Sequence, residues 1–147
     1  MLTVELVPST SWGSNLRSIL TPAQWDEIRR EAYARAGHRC TACGRRGRLE
    51  AHEVWEYDDD RRIQRLVDVA ALCHDCHMVV HWGYASTRGL GDRALRHLAR
   101  VNGWSLEDAR LYLEAQLELW ARRSRHPWQL DLSWLEARGI EPPHSSS

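Results

Sequence analysis

The sequence contains no lysine and no phenylalanine. All 20 basic residues are arginine, so every fixed cation is a planar guanidinium fork suited to phosphate rather than an ammonium point charge. A GC-rich genome accounts for that bias on its own, but the physical consequence holds either way. Without Phe, the large aromatic surface falls to eight Trp, most of which are expected in the core. Net charge is lacking too, since 20 acidic residues balance the 20 basic ones. That excludes a strong overall pull on polyanions and leaves only modest non-specific affinity for nucleic acid. No apolar run approaches the ~18 residues of a membrane span, so no membrane partner is expected. Residues 1–7 are too short for a secretory leader and lack its basic region, which makes the cytoplasm the expected compartment. No internal repeat is visible.

Cysteine is scarce but concentrated. All four lie between Arg39 and His81, as Cys40-Thr-Ala-Cys43 and Cys73-His-Asp-Cys76. Two such pairs supply four thiolates, the closed tetrahedral set of a structural zinc. Two disulfides in an exported chain are the other use of four cysteines. The knuckle-like spacing and the missing export signal favour zinc on Cys40, Cys43, Cys73 and Cys76 in a reducing compartment.

Three histidines remain beside this cluster. His77 and His81 are four apart and share a face if the segment is helical. Such a pair alone is commonly a surface coincidence. Here the helix starts inside the second Cys-x-x-Cys, so the zinc would anchor it, and His52 lies on the preceding strand. Three imidazoles leave positions open for water and a substrate oxygen, the layout of a catalytic metal site.

Local patterns fill in the rest. Thr3–Val7 alternates and stops at Pro8, which predicts a short edge strand. Ser9–Leu20 reads as a surface loop packed by Trp12. Thr21-Pro22 marks a helix start, with Trp25, Ile28 and Ala32 on one face to about Ala36. A turn at 44–47 leads to a strand over 48–54, an exposed loop over 55–62 and a return strand over 63–72. A helix from Cys73 or His74 is expected to end at Gly83. Helices follow over 92–101 and from the capping signal at Ser105 to Arg122 or Arg123. Residues 128–134 alternate and predict a strand paired with the first one, and the tail 142–147 is expected to be disordered. The fold class is therefore α+β: an N-terminal strand, loop and helix (1–38), a metal core (39–83), a helical extension with a terminal strand (84–140) and a tail (141–147).

Cys-x-x-Cys-Gly, Leu49-Glu-Ala-His-Glu-Val54 and Leu72-Cys-x-x-Cys-His-x-x-x-His81 together resemble the zinc-containing HNH endonucleases. The likeness covers 39–81 and implies a treble-clef, ββα-metal core. Leu-Val-Pro near the start and His-Glu-Val-Trp-Glu-Tyr in the middle are similar to a bacterial HNH-like subgroup. The resemblance implies a metal-dependent endonuclease that cuts DNA, or RNA, leaving 5′-phosphate and 3′-hydroxyl ends. Its catalytic cation would be Mg²⁺, Mn²⁺, Ni²⁺ or Zn²⁺ on His52, His77 and His81. Glu53 would occupy the general-base position, where the family has His, and Asp68 would replace the family's Asn in a supporting role. Asp68 would there be compensated by Arg61, Arg62 or Arg65. Because Glu53 is the weaker base, or could itself ligate the metal, the alternative is an attenuated zinc module that binds nucleic acid or protein. A redox site of three His and one Glu is a third reading.

Two groups of arginines are candidates for the phosphate backbone. Arg45, Arg46 and Arg48 follow the first Cys pair, within a stretch from Arg29 to Glu50 where seven Arg face two Glu. Arg93, Arg96 and Arg100 share one helix face, where a solvated surface is an equal reading. The helices beyond residue 91 could also form a homodimer face.

Overall fold

The computed structural model describes residues 1–11 and 15–143. A 3₁₀ turn at Ser9–Ser11 precedes α1 (Leu16–Ile19) and α2 (Pro22–Arg35). The central elements are β1 (Glu50–Asp58), β2 (Ile63–Leu72) and α3 (His74–Val80). Then come α4 (Trp82–Thr87), α5 (Gly91–Asn102), α6 (Leu106–Arg123), β3 (Gln129–Asp131) and α7 (Ser133–Ala137). The result is the expected α+β class.

β1 and β2 form an antiparallel hairpin, and β3 adds to β2 in parallel, giving the order β1-β2-β3. Helices cover both faces. Leu72, Val79, Leu95, Leu98 and Leu113 lie in one apolar cluster with the N-terminal Leu2 and Val4. Leu16, Trp25, Ile28, Trp55, Leu66 and Leu135 form the other. Because strand side chains alternate, β2 serves both layers: Ala70 and Leu72 pack against the first cluster, Val69 belongs to the second.

The helix starts follow their capping chemistry. Thr21 accepts the Gln24 N–H, Gln24 returns the bond to the Thr21 N–H, and Pro22 occupies the first turn of α2. Ser105 accepts the Asp108 N–H to open α6. Gly44, at φ +79°, makes the turn that closes the first cysteine knuckle.

Five sequence expectations need correction. Residues 3–7 form no strand: the Glu5 N–H donates to Val80 O, and the Val4 N–H to the Tyr112 hydroxyl. Alternation cannot tell a sheet edge from an extended segment lying on helices. Residues 129–131 therefore pair with β2 instead of the N-terminus, and 133–137 turn helical. β1 runs on to Asp58 through the stretch expected to be a loop, with a register shift between Val54 and Trp55. The helix after Cys73 breaks at His81 (φ −91°, ψ 45°), and Gly83 lies inside the next one. Within the 9–20 segment, Leu16 is fully buried in a short helix instead of a surface loop. Trp12 and residues 144–147 of the tail lie outside the described residues.

Candidate functional site

The short helix α3 carries two clusters of metal-binding side chains. At its start, Cys73 is the N-cap and Cys76 lies in the first turn. The knuckle Cys40–Cys43 docks beside it because the Thr41 N–H and hydroxyl both donate to Ala71 O, at 2.9 and 3.0 Å. The sulfurs of Cys40, Cys43, Cys73 and Cys76 lie within 4.8 Å of one another, with Cys43 and Cys73 Sγ at 3.7 Å. Tetrahedral Zn–S bonds of ~2.3 Å imply S···S edges of about 3.8 Å. The four cysteines thus fit a structural metal such as zinc.

The thiols' electrostatics agree with that use. Burial alone would raise Cys40, but backbone N–H groups of Cys73, Cys43 and Ala42 bring it down to about 7. Burial and the neighbouring sulfur groups push Cys76 far up. Burial raises Cys73 as well. Sulfurs this close cannot all ionise unless a cation joins them. His97 on α5 adds a contact the sequence did not suggest, with Nε2 3.3 Å from Cys76 Sγ. His74, between the second pair of cysteines, is exposed and hydrogen-bonded to Glu50 at 3.2 Å.

Toward the other end of α3, His77 and His81 meet His52 of β1. Their ring centres lie 5.5 Å (His52–His77), 4.7 Å (His52–His81) and 4.6 Å (His77–His81) apart. One ligand nitrogen from each falls within 4.8 Å of the others. His52 Nδ1 and His81 Nε2 are 3.1 Å apart, close to the ~3.3 Å edge set by two metal–nitrogen bonds of about 2.0–2.1 Å.

Carboxylates hold two of these rings from behind. Glu50 Oε1 takes the Nδ1 side of His77 at 2.7 Å, while His77 Nε2 is buried without a hydrogen-bond partner. A ring anchored as an Nδ1–H donor presents an Nε2 lone pair, the state a metal requires. Glu5 binds His52 Nε2 and also accepts the Trp55 N–H at 2.8 Å. That leaves His52 Nδ1 on the inner side.

Charges follow the same logic. Burial lowers His77, although Glu50 opposes it. His81 is exposed as a residue, yet desolvation of its ring, together with His52 and His77, puts that group well below the usual imidazole range. Burial would raise Glu50, but hydrogen bonds from His77 and His74 hold it low. His77 and His81, both shifted toward the neutral form, with Glu50 held low behind His77, can offer nitrogen lone pairs to a cation.

Glu53 does not join this group. No bulge separates it from His52, since His52 pairs with Ala70 and Glu53 with Val69 in unbroken register. Its side chain therefore turns to the opposite face, where Oε1 accepts the Leu16 N–H at 2.7 Å. Burial raises its carboxyl above the ordinary range. Asp68 lies on β2 opposite Val54 and accepts its neighbour's Val69 N–H at 2.8 Å. Its ion partner is Arg35 at 3.3 Å instead of Arg61, Arg62 or Arg65; Arg65 pairs with Asp131.

The arginines fall into separate settings. Arg45 and Arg93 share Asp75, at 3.2 and 3.4 Å, which joins the two predicted groups beside the cysteines. Arg46, Arg48, Arg96 and Arg100 are exposed.

Glu5 and Glu50 are the functional candidates that sequence reading missed. Glu50 was accessible by strand parity, two residues before His52 and so on its face. Nothing local points to Glu5, 47 residues from its histidine. No helix among the described residues is long and apolar enough to cross a membrane. No family model, curated protein or solved structure matches the chain.

Proposed function

We propose that this protein is a metal-dependent endonuclease of the HNH type, with a zinc-pinned treble-clef core and a second divalent cation on His52, His77 and His81. The observation that carries the reading is His77: Nδ1 is fixed by Glu50 and Nε2 is buried, unpartnered and surrounded by two more imidazoles. A cation held there would act as a Lewis acid toward a phosphodiester oxygen.

The chain's own residues would hold and orient. Glu50 and Glu5 fix the His77 and His52 rings, and α3, clamped through Cys73 and Cys76, fixes the spacing between His77 and His81. In the reaction water oxygen would bond to phosphorus and lose a proton to solvent, while the P–O3′ bond breaks and O3′ takes up a proton from solvent, so that the products carry 5′-phosphate and 3′-hydroxyl. Glu53 has no part in this step, because its carboxylate faces α1.

That same position favours a second reading, a zinc-stabilised module that binds nucleic acid without cutting it. Plasmid nicking with Mg²⁺, Mn²⁺, Ni²⁺ and Zn²⁺ in turn separates the two. The nuclease reading expects conversion of supercoiled to nicked or linear DNA with at least one cation, lost in His77→Ala. Binding without cleavage under every cation leaves the module.

A further inference from the structure

A cleft of about 990 Å³ opens beside His77, walled by α1 and α2 on one side and by the segment entering β1 on the other. Its lining includes Arg17, Arg29, Arg48, Trp25 and Tyr33. We propose that this cleft seats an unpaired polynucleotide strand, with the three arginines on its phosphates and Tyr33 against a base. The strand would thereby bring one phosphodiester to His77. This inference rests on the nuclease reading and specifies its substrate.

The lining is rich in donors. Arg17 and Arg48 are exposed and have no carboxylate partner among the described residues. Arg29 pairs with Asp26 at 2.9 Å and lies 5.9 Å from the centre of the Tyr33 ring. The other carboxylate, Glu50, is already bonded to His74 and His77. No unpaired acid therefore opposes an incoming phosphate. Trp25, nine-tenths buried in this wall, adds an indole N–H that has no acceptor.

Three guanidinium groups from three separate segments converge here only through the fold. Helix periodicity and charge runs show none of it. Of the six arginines the sequence suggested for nucleic acid, Arg48 alone lines the cleft. Arg45 and Arg93 meet at Asp75, outside the cleft lining. A space of this volume admits a few nucleotides of one strand. Aromatic surface beside a basic groove is the usual platform for unpaired bases.

Fluorescence anisotropy with short labelled single-stranded DNA, single-stranded RNA and duplex DNA tests this on the full chain, without added divalent metal and across a salt series. Replacing Arg17, Arg29 and Arg48 together by Ala is expected to raise the single-strand Kd by about tenfold or more and to flatten the log Kd–log salt slope by about 2. Tyr33→Leu should weaken the same complexes by about tenfold while barely affecting duplex binding. Replacing Arg93, Arg96 and Arg100 together should change little. The double change Arg17→Ala, Arg48→Ala affects exposed side chains only and carries the test if the triple variant misfolds. The DNA-to-RNA ratio of affinities identifies the natural strand.

Duplex binding as tight as single-strand binding overturns the proposal. So does loss of binding from the α5 variant with the cleft variant intact, or absence of any binding by the native chain. Nicking that survives alongside binding insensitive to Arg17, Arg29 and Arg48 sinks the cleft alone. Cleft-dependent binding with no cleavage sinks the nuclease reading and leaves the cleft standing.

Discussion

Two clusters on one seven-residue helix show how ligand chemistry separates structure from reactivity. The cysteine cluster offers four sulfurs, which as thiolates more than neutralise a divalent cation and fill its tetrahedron. Such a centre has no position left for substrate and serves to tie chain segments together. The histidine cluster offers three imidazole nitrogens, ligands that carry no formal negative charge. It would leave a cation most of its charge and at least one open position, which is what phosphodiester chemistry needs. Cys76 and His77 are consecutive, so a metal on the cysteines would hold the helix that presents the histidines.

The largest test of this contrast is loss of the closed centre. Cys76→Ser, or stripping with a strong chelator, should abolish cooperative folding, because structural zinc sites contribute ~10–16 kcal/mol. Circular dichroism and thermal melts read this directly. A native-like melt after complete metal removal would break the comparison.

Loss of the open centre should behave differently. His77→Ala is expected to keep the fold and lower bound metal by one equivalent, measured by elemental analysis, with nicking reduced at least ~100-fold. If His77→Ala unfolds the chain as a cysteine change does, both clusters are structural and the distinction is lost.

A smaller effect sharpens the role of the supporting carboxylates. Glu50→Gln should weaken metal binding at the histidines by about 10–100-fold, as loss of a ring-orienting partner does. The cysteine centre should be unaffected in the same titration. Equal weakening at both centres would make Glu50 a general stability residue.

The smallest expected effect concerns Glu53. Its carboxyl is raised by burial, so its protonated form is the one the fold favours. That contribution is fully present below the unfolded carboxyl value, near ~4.3, and is lost as pH rises through the higher folded value. At neutral pH Glu53 is therefore a net cost. Glu53→Gln keeps an acceptor for the Leu16 N–H, so the variant should be as stable as the native chain or slightly more so at pH 7. That advantage should disappear below about pH 4. Nicking should be unchanged, and a drop of ~10²–10⁴-fold would restore Glu53 as the general base.

Local spacing made much of this legible. The two Cys-x-x-Cys pairs, the four-residue interval from His77 to His81 and the capping signals at Thr21 and Ser105 each act within a few residues. Backbone geometry then leaves little choice. Strand parity had similar force: it puts Glu50 with His52 and sends Glu53 to the other face unless the strand bends, and the irregularity comes only after Val54. The HNH resemblance had suggested the base position for Glu53, yet an unbroken strand keeps it apart from the histidines.

Short-range repeat therefore accounts for the cysteine set, the four-residue spacing of His77 and the α3 C-cap His81, most helix boundaries and the hairpin. Contacts across long intervals came from packing alone. Glu5 reaches His52 because the N-terminal segment lies along α3 and α6 instead of joining the sheet. His97 reaches Cys76 through the packing of α5, and Arg17, Arg29 and Arg48 share a cleft because three segments meet at His77. These contacts depend on which apolar faces bury one another, a choice made by the whole core and not recorded in any single stretch of chain.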